Sequence, residues 1–283
     1  MLERERRSLC GKVVIVTGAG RGIGAAAARL FSQAGAHVIL TGLHLENLER
    51  VGLDPAAPPP LRLQHDVAAP EAWHRVVARV LQEHGRIDVL VNNAGIVVPG
   101  RADELPTADV ERQVAVNLLG TIHGCRAVLP AMRGRGAGRI VNVGSLGGIM
   151  PLPSEATYCA TKYGVRGYSF ALRAELAGSG VEVCLVTPDS VDTDQLRGEL
   201  EQGQPALSFV DAPLQADQVA RAILRATIGK IPEVLVPVGI GLLTRIAMAF
   251  PRLVLFLVPF LRKMGARRMT RMRRDGKDLR KAA

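Results

Sequence analysis

The sequence predicts an α/β fold: a single doubly wound domain on a parallel sheet of about seven strands, followed by an apolar and then basic C-terminal extension. Three observations predict it. Short β-branched runs alternate with helix-length stretches along most of the 283 residues. The first of these runs leads straight into a glycine-rich turn that opens a helix. A composition of 48% hydrophobic and 22% charged residues supplies a sizeable core and excludes a disordered or fibrous chain. Since single α/β domains commonly reach about 250 residues, the chain divides into one domain over residues 10–237 and an extension over 238–283.

The elements follow in order. Lys12–Thr17 (KVVIVT) is the first strand, its Val, Ile and Thr side chains favouring extended backbone, and Gly22–Ala34 is the helix that returns from it. His37–Thr41 (HVILT) repeats the strand pattern, and the proline-rich connector Pro55–Pro60 (PAAPPP) precedes a third strand, Leu61–His65. Helices over Pro70–His84, Thr107–Met132, Glu155–Ala177 and Gln215–Ile228 then alternate with strands over Ile87–Asn92, Arg139–Val143, Val181–Thr187 and Glu233–Val236. The glycine-rich Arg133–Gly138 (RGRGAG) ends the long third helix. Strands that alternate with helices build a parallel sheet covered on both faces.

Charge is unevenly placed. The formal net charge is +10, and the segment from Arg245 to the C-terminus holds twelve Arg and Lys against Asp275 and Asp278, so the preceding body is formally neutral. A nucleic-acid partner is therefore not expected, because the basic excess belongs to an appended segment and not to a face of the body. The four cysteines are far apart, without a CxxC pair or Cys/His ligand spacing, so neither a disulfide framework nor a metal site is expected. The charged Met1–Ser8 leaves no room for a signal peptide before the first strand, and a cytoplasmic location is expected.

Thr17–Gly24 reads TGAGRGIG at the junction of first strand and first helix. Gly18 permits the tight turn, Gly22 lets backbone approach a pyrophosphate, Gly24 allows close helix packing, and the N–H groups of the helix start favour an anion. An ordinary glycine-rich loop would show the same residues. Further along, Tyr158 and Lys162 lie four residues apart in a helical stretch and share one face. A phenol with a pKa of about 10 becomes a usable proton donor and acceptor beside an ammonium that stabilises phenolate.

These motifs occur together: TGxxxGxG, Asn92–Gly95 (NNAG) after the fourth strand, Asn117 in the next helix, Ser145 at the end of the fifth strand, and YCATK carrying Tyr158 and Lys162. In this order and at these intervals, over about residues 10–237, the sequence resembles the classical short-chain dehydrogenase/reductase family. The resemblance implies a Rossmann-like fold and hydride transfer between a nicotinamide C4 and a carbonyl or alcohol carbon. It implies Tyr158 as general acid/base, Ser145 holding the reacting oxygen, Asn117 fixing a water on a proton path from Lys162, and Lys162 also binding the nicotinamide ribose. For the cofactor it implies Gly18, Arg21, Gly22, Ile23 and Gly24 at the glycine turn, Asp66 and Val67 at the adenine, and Asn93, Ala94 and Gly95 as further cofactor-binding residues. Pro188, Val191 and Thr193, with Tyr158 and Lys162, are implied at the nicotinamide. Asp189 departs from the pattern, standing where the family has a glycine.

The end of the second strand reads Thr41, Gly42, Leu43, His44, with no carboxylate before Glu46. A carboxylate there would bind the ribose hydroxyls of NAD and repel the 2′-phosphate of NADP. Its absence, with Arg21 placed to meet that phosphate, favours NADP; Leu43 in place of an arginine keeps NAD as the alternative.

The substrate is expected near residues 146–153 and 194–213. Leu146, Ile149, Met150, Leu152, Leu196, Leu207 and Phe209 in those segments fit a lipophilic ketone, aldehyde or alcohol, which the resemblance extends to a retinoid, steroid or fatty type, though apolar loop residues also serve packing. Residues 234–261 are apolar but interrupted by Arg245, Arg252, Pro237, Pro251 and Pro259, so they do not supply the roughly 20 apolar residues of a membrane span. The extension resembles those of retinol- and steroid-type members. It either lies at the inner face of a membrane, arginines on anionic headgroups, or packs on the body or a sister subunit. A homodimer or homotetramer through the helices after the fourth and fifth strands is expected. The competing class is a cofactor-binding sensor or scaffold whose tail holds a membrane or nucleic acid, against which the complete Asn, Ser, Tyr and Lys set argues.

Overall fold

The computed structural model describes residues 8–193, 196, 207, 210–229 and 231–274. Its main sheet has seven parallel strands: β1 (Val13–Thr17), β2 (His37–Gly42), β3 (Leu61–Gln64), β4 (Val89–Asn92), β5 (Gly138–Val143), β6 (Val181–Pro188) and β9 (Glu233–Val236). The spatial order is β3-β2-β1-β4-β5-β6-β9, so the winding reverses between β1 and β4. At that reversal the strand ends part and leave a crevice. A separate two-stranded ribbon pairs β7 (Val191–Asp192) with β8 (Leu214–Gln215).

The period of two along each strand sorts side chains into two cores. Val14 and Val16 face α1 (Gly22–Gln33) and α7 (Ala216–Ile228), packing with Phe31, Val219 and Ile223. Val13 and Ile15 face the opposite layer: α3 (Pro70–His84), α5 (Gly120–Arg135) and α6 (Ala156–Glu175), which contribute Trp73, Met132 and Leu172. Because both faces are covered, the central strands read as unbroken apolar runs.

Several details differ from the sequence expectation. The long helix begins as α4 (Thr107–Gln113), widens into a π-helical turn over Val114–Leu119 and continues as α5 to Arg135, three residues beyond the expected end, where Gly136 caps it in the left-handed region. Its 107–135 stretch is long and apolar enough to span a membrane by composition, but Cys125, Val128 and Met132 are fully buried against the sheet. The short α2 (Leu45–Glu49) and the β7–β8 ribbon were not anticipated.

The extension is helical, as α8 (Val238–Ala247) and α9 (Pro251–Arg274). Two prolines bound its helices as the sequence suggested, Pro237 as the N-cap of α8 and Pro251 at the first position of α9, where no N–H is needed, whereas α9 runs through Pro259. The remainder of 194–213, including Phe209, and the two chain ends lie outside the described residues.

Candidate active site

The crevice at the β1/β4 reversal is built by cross-strand hydrogen bonds. Thr17, buried at the end of β1, accepts from the backbone N–H groups of Asn93 (2.9 Å) and Ala94 (3.0 Å) through Oγ1. The Asn93 amide donates back to the Thr17 carbonyl at 2.9 Å. These bonds stitch the NNAG turn to the glycine turn. A Cβ on Gly24 would lie 2.2 Å from the Gly18 carbonyl oxygen, so only glycine lets α1 start this close to the strand. Arg21 stands at the N-cap in extended conformation without a side-chain cap bond, and the first turn of α1 carries no acidic residue. The helix start is thus an uncapped set of donors with positive polarity facing the crevice, suited to a pyrophosphate.

One cavity of about 610 Å³ runs from this turn to α6. Of the expected residues, Gly18, Arg21, Gly22, Ile23, Asp66, Val67, Asn93, Ala94, Gly95, Ser145, Tyr158, Lys162, Pro188, Val191 and Thr193 line it. Gly24 and Asn117 do not line it and act from behind. Thr193 stands across from Gly22, whose Cβ, if present, would come within 3.2 Å of the threonine Cγ2.

At one end, Asp66 accepts from the Ala68 N–H at 2.9 Å, fixing the turn after β3. The wall here includes His44, Asn47 and His65, which the motif reading passed over. His65 is buried, with Nδ1 3.1 Å from Thr41 Oγ1 and its ring edge-on to Trp73. Burial holds its pKa down at about 4, with Arg75 adding to the shift and Asp66 opposing it. Its only signal in the sequence was adjacency to Asp66.

At the other end, Ser145 caps a single 3-10 turn, Leu146–Gly148, by accepting from the Gly147 N–H at 3.0 Å. Tyr158 and Lys162 project from one face of α6. Lys162 is 6% exposed; its Nζ donates to the Val143 carbonyl at 3.0 Å and lies 5.7 Å from the Tyr158 ring centroid. Desolvation lowers its pKa to about 8. Asn117 sits in the π-helical turn, and its side chain both accepts from the Ile96 N–H and donates to the Ile96 carbonyl, each at 2.8 Å. It also donates to Thr161 Oγ1 at 3.3 Å, joining the loop after β4 to α6. Cys159, next to the tyrosine, is buried with its pKa raised by desolvation, as expected of a packing residue.

Among the apolar candidates for substrate contact, Leu146, Met150, Leu152, Leu196 and Leu207 line the cavity. Ile149 instead turns away, into a cluster with Leu235, Ile240 and Met248. Asp189, in place of the family's glycine, lines the cavity too, its carboxylate accepting from the Ser190 N–H at 2.8 Å and its pKa raised by desolvation.

Comparison with known proteins identifies the family. The family model described as short chain dehydrogenase matches residues 12–204. A Drosophila melanogaster protein named dehydrogenase/reductase SDR family protein 7-like is 35% identical over 83% of this chain and 75% of its own. The 3-ketodihydrosphingosine reductase of Bacteroides thetaiotaomicron is 34% identical over 64% of this chain and 65% of its own. A solved metagenomic short-chain oxidoreductase in complex with NADP superposes with a TM-score of 0.69 at 34% identity, covering 81% of this chain and 97% of that one. A seven-stranded sheet with this winding, carrying a glycine turn and a Ser, Tyr and Lys set at one crevice, thus has relatives along most of its length, and the chain belongs to the short-chain dehydrogenase family of oxidoreductases.

Proposed function

We propose that the protein is an NADP-preferring oxidoreductase acting on the carbonyl or alcohol group of a lipophilic substrate. The observation that carries the reading is the convergence of Ser145, Tyr158 and Lys162 at one end of a cavity whose other end is the uncapped glycine turn. The bound nicotinamide supplies or accepts the hydride at C4.

The chain's own residues do the rest. Ser145 Oγ accepts from the Gly147 N–H, which leaves its hydroxyl hydrogen to donate to the substrate oxygen and hold it near Tyr158. Tyr158 protonates that oxygen in reduction and takes the proton back in oxidation. Lys162 is anchored by the Val143 carbonyl within reach of the ring, and its ammonium favours the phenolate form. Asn117 is a positioning residue: by gripping Ile96 it holds the Gly95 backbone over Lys162, where a water continuing the proton path would sit.

NADP is favoured because Arg21, His44 and Asn47 border the cavity at the end of β2 and no carboxylate from Leu43 or His44 would repel a 2′-phosphate. The solved relative with NADP supports the same preference. The leucine- and methionine-lined end favours an apolar substrate, and the relative named for a ketodihydrosphingosine, a long-chain ketone, supports it. A homodimer or homotetramer through the outer faces of α4, α5 and α6 belongs to the same reading, with Leu119 and Tyr163 exposed there.

The test is turnover of NADPH and NADH in parallel against medium- and long-chain ketones and aldehydes. NADPH is expected to give the higher kcat/KM, and Arg21→Gln to narrow the ratio at least tenfold; equal use of both cofactors by the wild type would overturn the NADP assignment, and no turnover on any carbonyl would overturn the oxidoreductase assignment to this substrate class.

A further inference from the structure

Helix α8 has two unlike edges. On the inner edge Ile240, with Met248 just beyond the helix, joins Leu146, Ile149 and Leu235 in a small apolar cluster. Leu146 belongs both to that cluster and to the wall of the active-site cavity, so α8 packs directly behind the segment that follows Ser145. The helix is fastened there by charge. Arg245 pairs with Glu233, a side chain 3% exposed that also accepts from Thr187 Oγ1 at 2.7 Å and faces Arg166 at 3.4 Å.

The outer edge faces solvent with apolar side chains. Leu243 of α8 is 66% exposed and Phe250 64%, and on α9 Leu255, Phe256 and Phe260 are 60%, 79% and 62% exposed. Large apolar residues grouped in this way mark a surface built to be covered.

Three observations decide what covers it. Residues 238–274 contain nine Arg and Lys and no Asp or Glu, with Arg262, Lys263, Arg267 and Arg268 following directly on the apolar part of α9. A second copy of the chain would set this cationic surface against itself, with like charges repelling. A nucleic acid would use the cations and leave the leucines and phenylalanines wet. The apolar stretch Leu253–Leu261 is 9 residues, which at 1.5 Å per residue is about 14 Å, less than half of the 30 Å or so of a hydrocarbon core. It can lie in an interface but not cross it.

We propose that α8 and α9 seat the protein on an anionic lipid surface, with the apolar side chains among the acyl chains and the following arginines on the headgroups, and that this brings the Leu146 wall of the active site to the bilayer. The second part rests on the function proposed above: a lipophilic carbonyl compound would then enter from the membrane, without crossing water.

The experiment is flotation of the full chain with vesicles of phosphatidylcholine alone and with added phosphatidylglycerol, at low and high salt, beside a Leu243→Glu/Phe256→Glu variant. Neither position belongs to the cavity, so the variant is expected to keep wild-type turnover of a short water-soluble ketone. The wild type is expected to float with the phosphatidylglycerol vesicles, less so at high salt and on phosphatidylcholine alone, and the variant to bind at least tenfold more weakly. Its turnover of a ketone held in those vesicles should fall by a similar factor. A wild type that stays in solution, or a variant that floats equally well, overturns the docking proposal. So does a doubled solution mass that the variant loses without any vesicle binding, which would assign the face to a second copy. Flotation without turnover of any ketone would sink the proposed function and leave docking standing; turnover without flotation would do the reverse.

Discussion

His65 makes acid stability a test of how the end of the cavity beside β2 and β3 is built. Its ring lies between Thr41 and Trp73, and burial lowers its pKa from 6.5 to about 4. The unfolded chain therefore takes up the proton first as pH falls. Stability is fully present above pH 6.5 and drains away as pH falls through the folded value. A fall from 6.5 to about 4 amounts to roughly 3 kcal/mol once pH lies well below both values. By pH 4.5 most of that, roughly 2 kcal/mol, is lost. His65→Gln keeps a polar group opposite Thr41 and removes the titration. In urea unfolding at pH 7 and pH 4.5, the wild type should lose roughly 2 kcal/mol more than the variant across that interval. Parallel losses in the two proteins would show that His65 is not held neutral by burial, and the account of this wall would fail.

Lys162 gives a prediction of the same sign in an alkaline window. Its folded pKa of about 8 lies below the ordinary 10.5, so between those values the unfolded chain holds the proton more tightly and the apoprotein gains stability as pH rises. Lys162→Met should abolish that gain, and an alkaline stability profile identical to the wild type would contradict it. Glu233→Gln removes the charge shared by Arg166, Arg245 and Thr187; with both arginines about one-third exposed and able to reach water, the expected loss is about 2 kcal/mol in urea unfolding. An unchanged midpoint would show that the pairing does not fasten α8.

The strands were legible because the central strands are buried on both faces and so carry dense apolar runs, unbroken in Val13–Thr17 and interrupted only at Glu182 before the end of β6. The candidate site was legible because glycine, Tyr and Lys spacings are set by backbone geometry: Gly24 cannot carry a Cβ, and Tyr158 and Lys162 must be one helical turn apart. Residues whose partners are distant in sequence were not legible. Arg245 looked like an interruption of an apolar run, whereas it answers a buried carboxylate on β9. His65 looked like one scattered histidine until β2 and α3 closed around it. The π-helical turn that places Asn117 has no residue signature, since it is one displaced hydrogen-bond register inside an otherwise regular helix. In α9, Pro259 removes a single N–H from a long helix and so did not end it.

The measurement that tests the central claim most directly compares Tyr158→Phe with the wild type in NADPH binding and in single-turnover reduction of a carbonyl substrate. The ring is kept and only the phenolic oxygen is lost. The account predicts cofactor affinity within about twofold of the wild type and a reduction rate lower by about 10²- to 10⁴-fold. A variant that still reduces the substrate at the wild-type rate would contradict the assignment of Tyr158 as the proton donor.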